Sequence, residues 1–110
     1  MTTVDSAAED VFAALADPTR RGVLESLVRD GATTATELAR RLPVTRQAVG
    51  KHLSVLERAG LVECRRVGRE ARYEPRPAPL ASAADWLTGL AREWDDRLAA
   101  LAALAEDPTA

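Results

Sequence analysis

The chain has 110 residues, a formal net charge of −2, one cysteine and one histidine. Its length predicts one domain over residues 1–110 with a modest core, and its lone cysteine excludes a disulfide framework. Because no signal peptide and no membrane-length apolar run is found, we expect a cytoplasmic protein with no membrane association.

Two helices are predicted in the first third of the chain. A capping box of Ser6 and Glu9 begins a helix that we expect to run to about Ala16. Asp17 followed by Pro18 is typical of the cap and first turn of a second helix.

Arg20 and Arg21 fall in the first turn of that second helix, where the helix dipole disfavours cations. Two explanations stay open for them. They either contact a phosphate or an acid elsewhere, or they are solvated.

Residues 34–62 have the pattern of a helix-turn-helix. Thr34 begins a capping box for a short helix, which Pro43 breaks. Thr45 can cap another helix, and Gly60 supplies the left-handed residue that ends it.

The second helix of this pair separates into two faces at about 100° per residue. Val49, Leu53 and Leu56 form the apolar face, and the opposite face carries cations, an amide and a hydroxyl but no acid. Arg and Lys suit guanine edges, Gln suits adenine, and small residues allow close approach to DNA. The residues predicted to bind DNA here are Thr45, Arg46, Gln47, Gly50, Lys51 and Ser54. A merely solvated face is the alternative, although exposed helices usually mix acids with bases.

A two-stranded β wing is predicted over residues 61–75, with its turn at Gly68. We expect its arginines to contact DNA phosphates, which fixes register without reading sequence. These residues are Arg65, Arg66, Arg69 and Arg72. Their alternative role is solubility alone.

The charge is segregated along the chain. Residues 36–76 carry a net charge of +5, whereas residues 1–35 carry −3 and residues 77–110 carry −4. A basic segment on an acidic body indicates one surface that attracts nucleic acid.

The last third predicts a dimerisation helix over residues 80–105. Pro75, Pro77 and Pro79 precede it as a stiff connector, which we expect to join neither the sheet nor a helix interior. Apolar residues then recur with alternating steps of four and three, which is a heptad seam suited to a second copy. The predicted dimer interface consists of Val4, Val11, Leu87, Leu90, Trp94, Leu98 and Leu101. Packing within one chain is the alternative.

With these elements in order, the chain resembles the ArsR family of bacterial winged-helix repressors. The segments that carry the resemblance are ALADPTRR at 14–21, ELA at 37–39, QAV at 47–49, KHL at 51–53 and AGLV at 59–62. The resemblance implies a mainly α fold with a two-stranded β wing, the winged helix-turn-helix. It also implies a homodimer that binds a palindromic operator and represses a promoter.

The chain departs from the metal-sensing members that it resembles. Residues 39–41 are Ala, Arg and Arg where those members have paired cysteines, and the last helix has no histidine. One Cys and one His on different elements cannot form a transition-metal site, so we expect no metal and no cofactor. A small-molecule effector and a redox role for Cys64 stay open.

The sequence therefore predicts a DNA-binding transcriptional regulator, most simply a dimeric repressor without a metal site. The alternative is a winged-helix module for protein–protein contact. Catalysis is not expected, because the chain has neither a nucleophile–base pair nor a Gly-rich phosphate loop.

Overall fold

The structure is a computed structural model that describes residues 6–106, so the predicted interface residue Val4 and the side chain of Ser6 lie outside its description. The helices are α1 (Ser6–Leu15), α2 (Pro18–Asp30), α3 (Ala35–Arg41), α4 (Arg46–Arg58) and α5 (Ala78–Glu106), and the strands are β1 (Thr33–Thr34), β2 (Val62–Val67) and β3 (Glu70–Pro75). The predicted mainly helical fold with a β wing is confirmed.

Side-chain caps begin three of the helices. Asp17 caps α2, Thr34 caps α3 and Thr45 caps α4, each accepting a hydrogen bond from a backbone N–H two or three residues later. A cap of this kind satisfies an N–H that has no partner inside the helix. Gly60 has a φ of 76°, the left-handed conformation expected at the end of α4.

The corner between α1 and α2 answers the open question about Arg20 and Arg21. Nη1 of Arg20 donates to the carbonyl of Ala14 at 3.1 Å, and Nη1 of Arg21 donates to the carbonyl of Leu15 at 2.7 Å. Carbonyls in the last turn of a helix lack intrahelical partners. Both arginines therefore bind backbone carbonyls and close the C-terminal end of α1, and neither forms an ion pair with an acid among residues 6–106.

The wing is part of a three-stranded antiparallel sheet, not the two-stranded hairpin that was predicted. The strand order is β1-β3-β2, with Thr33 opposite Tyr73 and Tyr73 opposite Cys64. The two residues of β1 are too few to produce an alternating pattern, so this strand could not be predicted. Their pairing fixes one edge of the wing to the segment between α2 and α3.

The prediction that the connector prolines join neither the sheet nor a helix interior is wrong for Pro75. Pro75 is the last residue of β3, opposite Val62, and Pro79 lies in the first turn of α5. Proline is tolerated at both positions because neither requires a backbone N–H. The last helix consequently begins at Ala78 and ends at Glu106, slightly beyond the predicted bounds.

The hydrophobic core is formed by the helices α1, α2, α3 and α4 together with the base of the wing. Its largest fully buried side chains include Leu27, Leu38, Leu53 and Leu56. Val11 is also in this core, 1% exposed, which corrects its prediction as a dimer-interface residue. A side chain enclosed by its own chain has no surface left for a second copy.

The helix α5 packs on the body only through its first turns. Ala83 is buried, and Trp86 packs against Phe12 with 5.6 Å between ring centroids. From residue 87 to residue 106 every side chain of α5 is exposed. No helix within residues 6–106 is long and apolar enough to cross a membrane.

Candidate nucleic-acid interface

Burial of one face of α4 determines which side chains it presents outward. Val49, Leu53 and Leu56 are fully buried, as the periodicity predicted. Gln47 and Lys51 lie on the opposite side and are exposed. The hydrophobic contacts therefore hold α4 in one rotation about its axis, with its cations and amide at the surface.

The six residues predicted to bind DNA from α4 and its cap are brought together on this surface. Gly50 is half-buried and the others are exposed: Thr45, Arg46, Gln47, Lys51 and Ser54. The hydroxyl of Ser54 donates to the Gly50 carbonyl at 3.1 Å, which leaves its oxygen free to accept. No acidic side chain lies among them on this face.

The four wing arginines fall into two pairs with different surroundings. Arg65 lies 3.5 Å from a carboxylate oxygen of Glu74, and Arg72 lies 3.5 Å from one of Glu70. Over the described range of 6–106, neither Arg66 nor Arg69 has a carboxylate within ion-pairing distance. The uncompensated positive charge of the wing is thus at Arg66 and at the turn that contains Arg69.

Arg72 has a structural partner that sequence reasoning missed. Its Nη2 donates to the carbonyl of Ala32 at 3.0 Å, and the residue is half-buried. This bond links β3 to the segment that follows α2. No sequence signal could have found it, because the two residues lie 40 positions apart and the acceptor is backbone.

An open cleft of about 580 Å³ separates the start of α3 from the wing, and we refer to it as the α3–wing cleft. Its two walls are the β1–α3 segment and β3, and Arg46 and Arg69 reach it from α4 and from the wing turn. Nε of Arg46 donates to Oγ1 of Thr36 at 3.3 Å, which ties the start of α4 to the first turn of α3.

Tyr73 forms part of the same cleft. Burial raises the pKa of its phenol, and the neighbouring Cys64 thiol and the Glu57 carboxylate act in the same direction. The Arg46 guanidinium opposes them by lowering the pKa of Tyr73, which indicates that its charge is felt at this wall of the cleft.

Comparison with known proteins gives consistent matches to DNA-binding regulators. A family model described as a helix-turn-helix domain matches residues 15–65. The chain is 44% identical over 91 residues to the HTH-type transcriptional regulator Rv2034 of Mycobacterium tuberculosis, covering 83% of this chain and 81% of that protein. It is 28% identical over 89 residues to the transcriptional repressor SdpR of Bacillus subtilis, covering 81% and 98%.

A comparison with solved structures agrees with these sequence matches. An ArsR-like transcriptional regulator from Rhodococcus sp. RHA1 superposes with a TM-score of 0.82 at 47% identity, covering 93% of this chain and 95% of that one. The chain belongs to the ArsR family. This ArsR-family protein is accordingly a DNA-binding transcriptional regulator with a winged helix-turn-helix fold, and its relatives are regulators and not enzymes.

Among the described residues, this ArsR-family chain has few side chains that could bind a metal together. No three His, Cys, Asp or Glu side chains come close enough together to hold a metal ion within residues 6–106. His52 on α4 and Cys64 on β2 are both half-buried and lie on different elements. The prediction of a metal-free regulator therefore rests on ligand chemistry.

Proposed function

We propose that this ArsR-family regulator is a homodimeric repressor that binds a palindromic operator and has no transition-metal sensing site. The observation that carries the proposal is the acid-free exposed face of α4, flanked by the unpaired wing arginines Arg66 and Arg69. The similarity to SdpR, a transcriptional repressor, supports the direction of regulation.

In this proposal α4 enters the major groove. Gln47 and Lys51 face base edges, where an amide pairs with adenine and an ammonium with guanine. Half-buried Gly50 allows the helix backbone to approach the duplex closely, while Thr45 and Ser54 supply hydroxyls to bases or phosphates. The wing lies across the adjacent backbone.

A second copy of the chain is the proposed occupant of the exposed apolar face of α5. Its leucines and Trp94 are between 48% and 62% exposed, namely Leu87, Leu90, Trp94, Leu98 and Leu101. An apolar stripe of this size is unfavourable when it is exposed to water, and it marks a contact surface. The stripe extends for more than two heptads, with no charged residue at its seam positions. A self-complementary seam of this kind suits an isologous two-fold contact.

Two-fold assembly also matches the chemistry of DNA recognition. A dimer presents two copies of α4, and half-sites one helical turn apart, about 34 Å, are read by helices related by a two-fold axis. The face of α4 that carries Gln47 and Lys51 remains free in this arrangement. An operator with inverted symmetry follows from the symmetry of the protein.

The test is selection of bound duplexes from a random pool by the purified protein at physiological salt, followed by gel shift of the selected site against genomic competitor. We expect a palindromic consensus that shifts at concentrations where a scrambled duplex does not. A winged-helix module used only for protein contact would enrich no sequence, and that result would refute the proposal. Metal analysis of the purified protein checks the metal-free part, since a bound transition metal would contradict it.

A further inference from the structure

The α3–wing cleft brings four guanidinium groups together against two carboxylates. Arg40 is paired with Glu37 at 3.2 Å, and Arg72 is paired with Glu70 at 3.5 Å. Arg46 and Arg69 also line the cleft, and neither has a carboxylate within ion-pairing distance among the described residues. The excess positive charge of the cleft therefore sits on Arg46 and Arg69 alone.

Arg46 is the first residue of α4 and lines this cleft at the edge of the surface that carries Gln47. Its bond to Thr36 fixes the Nε edge of the guanidinium against α3, and the two terminal nitrogens stay available as donors. Tyr73 of β3, whose pKa is lowered by the Arg46 charge, lines the same cleft. Arg46 thus ties α4 to α3 and shares the cleft with the wing.

Arg69 approaches from the wing turn. Val67 pairs with Glu70, so Gly68 and Arg69 form a two-residue turn, and Gly68 adopts a φ of 62° that suits such turns. The turn places Arg69 at the tip of the wing, where its side chain is exposed and lines the cleft. Two planar donors from separate elements then face one open space.

We propose that the α3–wing cleft seats one backbone phosphate of the operator in each protomer, held between Arg46 and Arg69, with Thr36 as a positioning residue. The proposal rests on the proposed function and narrows the role of Arg46, predicted as a DNA-binding residue, to backbone contact. Guanidinium groups match phosphate oxygens through paired hydrogen bonds, and these contacts carry no sequence information.

The location favours the backbone over a base edge. In the proposed complex the sugar–phosphate strand that borders the major groove passes between α4 and the wing, and Arg46 of α4 and Arg69 of the wing turn both line the cleft. The three threonines of the cleft wall, Thr33, Thr34 and Thr36, add no negative charge, so a phosphate meets only the already paired carboxylates of Glu37 and Glu70.

The first test compares Arg46→Ala and Arg69→Ala with wild type on the selected operator and on a scrambled duplex across a salt series. We expect each variant to weaken both duplexes about ten- to a hundredfold and to lower the salt slope by about one per protomer, because one phosphate contact is lost. Arg29→Ala is the matched control, since Arg29 is exposed on α2, outside the cleft, and pairs with Glu25. A variant that relaxes discrimination at one base pair would overturn the proposal.

The second test asks whether both arginines hold the same phosphate. Operators carrying a single neutral methylphosphonate are scanned position by position against wild type. We expect one position in each half-site to weaken wild-type binding, to weaken Arg46→Ala and Arg69→Ala less at that same position because one guanidinium remains, and to leave the double variant unaffected. If the two single variants lose sensitivity at different positions, the shared seat is refuted.

Thr36 is tested by measuring DNA affinity together with the unfolding midpoint, because a merely structural role would change the midpoint as well. Thr36→Val removes the acceptor of the Arg46 bond while keeping the shape of the side chain, and Thr36→Ser keeps the acceptor. We expect the valine variant to lower affinity for all duplexes about threefold to tenfold with an unchanged unfolding midpoint, and the serine variant to restore it. Equal loss in both variants, or no loss in the valine variant, would refute the positioning role.

Two further outcomes separate this proposal from the proposed function. A wild-type protein that selects an operator but whose arginine variants keep its salt slope refutes the seat alone, whereas a protein that selects no operator refutes the function. Titration of the protein with inorganic phosphate identifies the source of the anion. Saturable binding that Arg46→Ala abolishes would assign the cleft to a free anion in place of DNA.

Discussion

Gln47 is the residue on which base recognition depends most directly. It is exposed on the outward face of α4, one turn from Lys51 and two turns from Ser54. Within the helix-turn-helix, Gln47 alone carries an amide, the group that matches the N6 and N7 edge of adenine.

We therefore predict that Gln47→Ala costs on the order of 1–3 kcal/mol of binding free energy at the selected operator and relaxes discrimination at one base pair. Titrations against the operator and its single-base variants measure the effect, and a scrambled duplex is the control. Equal loss on every duplex would remove Gln47 from the set of base-reading residues.

Asp17 gives the fold a defined response to acid. Hydrogen bonds from the backbone N–H groups of Arg20 and Thr19 lower the pKa of its carboxyl below the usual 3.8, although desolvation acts in the opposite direction. A carboxyl whose pKa is lowered by folding stabilises the native state above its unfolded pKa and loses that contribution as the pH falls through the folded value.

Asp17→Asn separates this titration from the cap itself, because the amide oxygen still accepts a hydrogen bond but does not ionise. We expect wild type to be the more stable protein at neutral pH and the difference in unfolding free energy to shrink below about pH 4. Chemical denaturation at a series of pH values measures it. A difference that is constant with pH would contradict the assigned role of the ionised carboxylate.

At the scale of elements, the contacts between α1 and α2 show how a short helix is retained on the body. α1 has 10 residues, and a helix of that length has little stability by itself. Val11 and Ala14 bury one face in the core, and Arg20 supplies donors to the carbonyls of Ala13 and Ala14 at the open end.

Arg20→Ala removes the side-chain donor of the Ala14 carbonyl in this corner, whereas the Ala13 carbonyl keeps its bond from the Ala16 N–H. We predict a loss of about 1–2 kcal/mol in unfolding free energy, the usual magnitude for a charge-assisted contact. Arg29→Ala on the exposed part of α2 is the control and should change stability by less than about 0.5 kcal/mol. Urea denaturation of both variants gives the comparison, and equal effects would exclude a capping role for Arg20.

Features of the fold that depend on local sequence signals could be predicted, and the others could not. The caps at Asp17, Thr34 and Thr45 and the rotation of α4 follow from signals within a few residues, so they were predicted correctly. The strand β1 and the anchoring of Arg72 by Ala32 depend on contacts between distant segments, and the partners of Arg20 six and seven residues before it are backbone carbonyls. A side chain that binds backbone leaves no complementary residue to recognise in the sequence.

Val11 illustrates the same limit for the candidate interface. A helical stripe identifies which side chains leave solvent but not whether they are covered by the same chain or by a second copy. Val11 is covered by its own chain, whereas the stripe from Leu87 to Leu101 is left exposed. The pairing of Arg65 with Glu74 was equally beyond the sequence, because the register between β2 and β3 brings the two side chains together.

The whole molecule is extended because α5 leaves the body. Its dimensions are 74 × 26 × 19 Å and its radius of gyration is 19.7 Å, against about 13 Å for a compact chain of this length. A helix of 29 residues spans about 43 Å, of which only the beginning packs on α1. The remaining apolar stripe is too long to be stabilised by this chain alone.

Leu98→Asp tests whether a second copy covers that stripe. A carboxylate at the centre of the seam would lose its hydration in a dimer without gaining a partner, which costs far more than the same group in water. We predict a monomer by light scattering, with helical content retained near the body and operator binding strongly weakened, because each monomer presents only one α4.

Ala103→Asp is the matched control, since residue 103 lies on the side of α5 opposite Leu98 at about 100° per residue. The same carboxylate placed there stays in water, so the dimer and its operator affinity should be preserved. Dimerisation that survives both substitutions would mean that another surface joins the copies. Loss of the dimer in both would mean that added charge, and not burial at the seam, separates them.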